Sequence, residues 1–295
     1  MNYRHHFHAG NFADVMKHAL MLGLIRAMQK KEKGFLHLDT HAGRGRYDLV
    51  TAARGDSLAR RPEWPDGIGR LWERTDLPPD VTDYVAFVRE FDRGAGNLDT
   101  QPRFYPGSPW LARRLLRPVD RLALCERQPE ECAALRSEFE FSRGVSVQEM
   151  DGYVAPRAML PPPEKRALVL IDPPFEAQDE WRRIVAAVRE GLGRFPSGVY
   201  AIWYPLTERA KVDAFFEELA ALRPPPTVAL ELAIAGERSA LKMKGCGLAV
   251  INPPWQFEST AAPLLDFLAP VLAQAPGGGA RTVWVVKEQR KESSG

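Results

Sequence analysis

The residues best suited to do chemistry stand together at Asp172-Pro173-Pro174-Phe175, directly after the apolar run Leu168 to Ile171. An acid, two prolines and an aromatic ring at the carboxyl end of a buried strand form a rigid loop at the crevice where open α/β sheets bind ligands. Such a loop suits methyl transfer to the exocyclic amine of an adenine. The N6 lone pair is delocalised into the ring and is a poor nucleophile, so acceptors must draw on both N–H bonds to localise it. Asp172 and the carbonyl of Pro173 can supply those acceptors, while Phe175 can stack on a base extruded from its helix. The methyl group then passes in line from a sulfonium, with positioning contributing much of the acceleration. Asp-Pro-Pro also occurs in ordinary turns, but its place after an apolar strand favours the chemical reading. A second string, Ile251-Asn252-Pro253-Pro254-Trp255, follows late strands far from the expected crevice and is assigned a structural or substrate-flanking role.

A methyl donor needs its own cradle, and three strand ends offer one. Asp39 ends an apolar run and is followed by Gly43 and Gly45, whose missing Cβ atoms let backbone N–H groups approach a cofactor. Alone the turn is a weak signal, because position 48 is Asp and the full G-x-G-x-x-G is absent. Glu126 ends the run Leu122 to Cys125 and is the acid expected to grip ribose hydroxyls, displaced along the chain by an insertion. Asp151-Gly152 follows Val145 to Val147, where the acid either accepts from the adenine amino group of a cofactor or caps a turn.

These side chains require a sheet to hold them. Apolar residues at helical spacing predict a helix from about 11 to 31, and Phe35 to Leu38 a short buried strand. Further runs at 122–124, 145–147, 168–171 and 199–203 alternate with helical periodicity at 129–141, 178–194 and 208–222. This alternation implies parallel pairing in an open doubly wound α/β sheet. Strands near 227–234 and 247–252, a helix around 258–273 and a strand near 281–286 complete the chain. Between Tyr47 and Tyr105 the alternation breaks into two short amphipathic helices, near 66–75 and 80–93, without a strand. The expected organisation is a core of residues 1–47 and 105–295 with an inserted helical subdomain at 48–104.

Composition narrows the class. The chain has 295 residues, 45% of them hydrophobic, enough for a sizeable core, and a net charge of +2 that argues neither for nor against a polyanionic partner. No run approaches the roughly 18 apolar residues of a membrane span, and the opening MNYRHHFHAGN lacks the apolar core of a signal peptide, so a cytoplasmic enzyme is expected. The three cysteines read as reduced thiols. Arg113, Arg114, Arg117 and Arg121 form either a phosphate-contacting or a solvated helix face. All six histidines fall at positions 5, 6, 8, 18, 37 and 41, but no His-x-x-x-His with a carboxylate accompanies them, and no metal is expected.

The chain resembles the 23S ribosomal RNA adenine-N6 methyltransferases of the RlmJ type, which modify adenosine 2030. The resemblance covers nearly its whole length. It runs through Tyr3-Arg4-His5, Phe7 to Asn11, Ala13-Asp14-Val15, Lys17-His18, Leu38 to Gly43, Gly45-Arg46-Tyr47, Tyr105 to Pro109, Asp151-Gly152, Asp172-Pro173-Pro174, Trp203-Tyr204-Pro205 and Asn252 to Trp255. It implies a Rossmann-like class I S-adenosylmethionine-dependent methyltransferase fold. It also implies that Lys17, His18, His41, Ser108, Glu126, Asp151, Gly152 and Asp172 contact S-adenosyl-L-methionine. Asp172, with Pro173 and Phe175, would form the catalytic loop, and Tyr3 would contact the 23S rRNA. A monomer is expected. The chain departs from the family at Phe175, where the family has Tyr: stacking survives, but a phenol hydrogen bond is lost. A DNA adenine-N6 methyltransferase would use the same loop, and an RNA-binding protein with a vestigial fold would not need Asp172 and Glu126 intact.

Overall fold

The structure is a computed structural model and describes residues 7–50 and 61–287. The first helix, α1 (Phe12–Gln29), starts where the Asn11 side chain accepts from the N–H groups of Ala13 and Asp14 at 2.9 and 3.0 Å. Asn at the cap satisfies two donors that the first helical turn leaves unpaired. Apolar side chains cover nearly all of its circumference, with Val15, Met16, Leu20, Leu24 and Ile25 almost wholly buried, so α1 is a core helix. It leads into β1 (Leu36–Asp39), which together with β4 (Arg121–Glu126), β5 (Val145–Glu149), β6 (Ala167–Ile171) and β7 (Val199–Leu206) is parallel.

Beyond β7 the sheet changes direction. β9 (Gly245–Ile251) runs antiparallel between β7 and β8 (Thr227–Ala233), and β10 (Gly279–Val286) is antiparallel to β8. Among the described residues these eight strands form one sheet in the order β5-β4-β1-β6-β7-β9-β8-β10. The chain therefore winds outward from β1 in one direction and from β6 in the other, the arrangement expected of a Rossmann-like class I methyltransferase. Alternation along β6 divides its side chains between two cores: Leu168 and Leu170 face one, and Ala167, Val169 and Ile171 the other. Each buried leucine or isoleucine contributes about 1.5–3 kcal/mol. Helices α7 (Glu180–Arg194) and α8 (Arg209–Ala221) cover the second face, while α1 and α9 (Phe257–Leu272) cover the first.

The insertion differs from its sequence reading in two respects. Its base is closed by a strand pair, β2 (Arg46–Asp48) against β3 (Phe104–Pro106), where no strand was expected. The helix near 66–75 shrinks to a single 3-10 turn at Trp64–Asp66 and α2 (Gly69–Trp72), because Pro65, Gly67 and Gly69 interrupt it. Its long helix, α3 (Pro79–Gly94), turns Val81, Tyr84, Val85 and Val88 into the same hydrophobic cluster as α1. The segment thus shares the main core.

Candidate active site

The parallel strands deliver their carboxyl ends to one cleft of about 1280 Å³. Lys17, His18, His41, Ser108, Glu126, Asp151, Gly152, Asp172, Pro173 and Phe175 all line it. Tyr3 lies outside the described residues, but Phe7 and His8, which follow it, are at the cleft wall.

Asp172 leaves the end of β6 and meets Lys17 from α1: the Lys17 ammonium donates to Asp172 Oδ2 at 2.5 Å and to Asp14 Oδ1 at 2.9 Å. Burial alone would lower the Lys17 pKa, but the two carboxylates outweigh it and hold the ammonium well above its ordinary value. Asp172 Oδ1 carries no hydrogen bond from any described residue. Three residues on, Phe175 adopts φ of +51°, an uncommon backbone state for a bulky side chain, with its ring edge-on to Trp181 at 4.8 Å and to Trp203 at 5.6 Å.

The cofactor-side residues surround this loop. Glu126, at the end of β4, accepts from Gly43 N–H at 3.0 Å and Gln128 N–H at 2.7 Å, so both oxygens are fixed in the cleft wall. Burial pushes its carboxyl up. Gly43 has φ of +61°, and a Cβ there would meet the Tyr47 hydroxyl at 2.2 Å, so only glycine fits the turn. Ser108, at the start of α4 (Ser108–Leu115), donates to Asp39 Oδ2 at 2.6 Å. Burial, the Ser108 hydroxyl opposing it, and the Asp172 charge together leave the Asp39 carboxyl pushed up to about 6. Because Ser108 gives its proton to Asp39, its remaining capacity is as an acceptor.

His41 is similarly defined. Thr40 Oγ1 donates to the Leu170 carbonyl at 3.0 Å, so at 2.8 Å it accepts from His41 Nδ1 and leaves Nε2 as an acceptor. Burial pushes this imidazole down to about 4, which keeps it neutral. A Cβ on Gly152 would lie 2.0 Å from the Thr40 carbonyl and 2.8 Å from the His41 ring, so the loop after β5 approaches this wall only as glycine. Asp151 accepts from Tyr153 N–H at 3.1 Å and from Arg183 at 2.8 Å. His18 Nδ1 meets the Tyr105 hydroxyl at 2.8 Å, and Tyr105 in turn meets Tyr84 of the insertion at 2.7 Å.

A family model described as "Ribosomal RNA large subunit methyltransferase D, RlmJ" matches residues 32–286. The chain belongs to this family. Two proteins named Ribosomal RNA large subunit methyltransferase J, from Escherichia coli (strain K12) and Haemophilus influenzae, are each 39% identical to it over 288 residues, covering 98% of this chain and 100% of theirs. The crystal structure of protein LPL1258 from Legionella pneumophila is similar at a TM-score of 0.82 and 34% identity, over 96% of this chain and 99% of that one. Membership makes the chain a methyltransferase with S-adenosylmethionine as methyl donor. The cleft is large enough for that donor, and its wall offers fixed carboxylate oxygens at Glu126, a close backbone approach at Gly152 and an acceptor oxygen at Ser108. No described helix is long and apolar enough to cross a membrane.

Sequence reasoning missed Asp14, which holds Lys17 from one turn earlier in α1, and Tyr153, Glu180 and Arg183, which tie the Asp151 loop to α7. Three of the arginines at 113–121 form ion pairs, Arg114 with Glu90, Arg117 with Asp120 and Arg121 with Glu164, and none lines the cleft. The Asn252 string lies at the far end of the sheet because β9 is reversed, and Asn252 bonds there to the carbonyls of Pro196 and Gly198. Of the histidines, His8, His18 and His41 line the cleft, His37 is buried in β1, and His5 and His6 fall outside the described residues.

Proposed function

We propose that this enzyme methylates the N6 amine of an adenine in 23S ribosomal RNA, adenosine 2030 by its resemblance to the family. One observation carries the reading: Lys17 holds Asp172 Oδ2 at 2.5 Å and no described residue bonds Oδ1, in a cleft lined by Asp172, Pro173 and Phe175 together. Asp172 Oδ1 accepts one N6–H of the target and the Pro173 carbonyl the other, which returns the lone pair to the amine. Phe175 presents its ring to the base. S-adenosylmethionine supplies an electrophilic methyl on a sulfonium. Glu126 holds the ribose hydroxyls, His41 and Asp151 present acceptors on the adenine side, and Ser108 accepts from the ammonium. Lys17 orients Asp172 by holding its Oδ2. Tyr3 contacts the RNA, as the resemblance to the family implies. The test is transfer of labelled methyl from S-adenosylmethionine to 23S rRNA lacking the modification, with digestion to nucleosides. N6-methyladenosine at one site is expected; label on another nucleoside, or on duplex DNA in preference to rRNA, overturns the reading.

A further inference from the structure

Glu180 is 3% exposed, yet it belongs to none of the groups that carry the chemistry above. It opens α7, five residues past Phe175, and its carboxylate is divided between two loops. Oε2 accepts from Ala177 N–H at 3.1 Å, at the end of the segment that starts at Asp172. Oε1 accepts from the Tyr153 hydroxyl, in the loop that carries Asp151 and Gly152. Arg183 completes the set: it donates to Asp151 at 2.8 Å, lies 3.6 Å from Glu180 Oε1 and sits 4.1 Å above the Tyr153 ring. Tyr153 in turn packs edge-on to His41 at 4.9 Å.

The catalytic loop needs such a hold. Phe175 sits at φ of +51°, and a bulky residue stays in that state only when its surroundings over-determine it. The prolines at 173 and 174 constrain the N-terminal half of the loop, whereas the C-terminal half is tied by Glu180 through Ala177. We propose that Glu180 is a positioning residue that latches the catalytic loop to the cofactor-binding loop, so that a single buried carboxylate sets the distance between methyl donor and target amine. A carboxylate accepts both bonds, whereas an amide keeps a single acceptor oxygen, so either the Ala177 N–H or the Tyr153 hydroxyl proton loses its acceptor.

The inference rests on the methyltransferase reading of the cleft and is tested with the full chain and 23S rRNA. Glu180→Gln is expected to lower kcat about 10- to 100-fold, with KM for RNA within about threefold of wild type, because misplacement of reacting groups acts on the chemical step. Its dissociation constant for S-adenosylmethionine, measured by calorimetry without RNA, should rise about fivefold as Tyr153 loosens. Tyr153→Phe removes only the hydroxyl and leaves the packing, so it covers the case in which Glu180→Gln folds poorly. It should reproduce the same direction of change, and the double variant should be no worse than the more severe single, the mark of two residues acting through one bond. Wild-type kcat in both variants with only a lowered Tm, or strictly additive losses, would overturn the latch. If the wild type transfers no methyl to rRNA, the acceptor assignment fails, while non-additivity in the cofactor dissociation constants still decides the latch.

Discussion

The three acids Asp172, Glu126 and Asp151 have the same chemistry and different tasks, set by what holds each one. Asp172 is pinned at one oxygen by a buried ammonium and offers the other, whereas both oxygens of Glu126 are aligned by backbone N–H groups. Substitutions should therefore separate catalysis from cofactor binding. Asp172→Asn is expected to reduce kcat on the order of 10²–10³-fold, the scale of losing one well-placed electrostatic group, while calorimetry shows S-adenosylmethionine affinity little changed. Parallel loss of affinity would place Asp172 on the cofactor instead. Glu126→Ala should do the reverse, weakening the cofactor by about 1.5–3 kcal/mol through loss of a charged acceptor. An unchanged dissociation constant would remove Glu126 from the site.

At the scale of the element, β1 contributes more than Asp39. His37 is wholly buried in it with neither ring nitrogen bonded among the described residues, and burial pushes its pKa down to about 4. The folded protein therefore disfavours protonation of this ring, while an unfolded chain takes a proton near the ordinary value of about 6.5. The sign follows: stability is complete above about pH 6.5 and is lost as pH falls from there towards about 4. His41, also pushed down to about 4, adds to this trend, and Asp39, pushed up to about 6, opposes it. His37→Leu isolates the one ring. It should match or exceed wild-type stability at pH 7, because no hydrogen bond is lost and two buried unpaired polar atoms are removed. Its denaturant midpoint should also fall less steeply between pH 6.5 and 4. An acid limb as steep as wild type would show that His37 does not titrate in this window.

Over the whole molecule, the insertion and the catalytic core act as one body. Ile68, Leu71, Val81, Tyr84, Val85 and Val88 share a cluster with α1, and α1 carries Lys17 and His18. The chain of hydroxyls from Tyr84 through Tyr105 to His18 links the insertion to the cleft. Excising residues 49–103 and joining Asp48 to Phe104, which already face each other across the β2–β3 pair, should leave α1 with a bare apolar side. The shortened chain is expected to lose cooperative thermal unfolding in calorimetry. A sharp transition near the wild-type temperature would establish the insertion as an independent unit.

Much of this was present in the one-dimensional sequence. Apolar runs at strand length alternating with amphipathic helices determined the parallel half of the sheet, since period and length depend on local side-chain order alone. The same runs marked where each functional acid would stand, because the residue after a buried strand emerges at the sheet's edge. The glycine at 152 and the Asp-Pro-Pro string were legible for the same local reason. What the sequence left open depends on distance in space between residues far apart in the chain. The reversal of β9 turned the second Pro-Pro string away from the cleft, and no local propensity records strand direction. The pairing of Lys17 with Asp172 spans 155 positions, and that of Tyr153 with Glu180 joins the loop after β5 to the start of α7. Only the packed sheet brings them together, and that proximity sets which carboxylate oxygens are occupied and which are left to act.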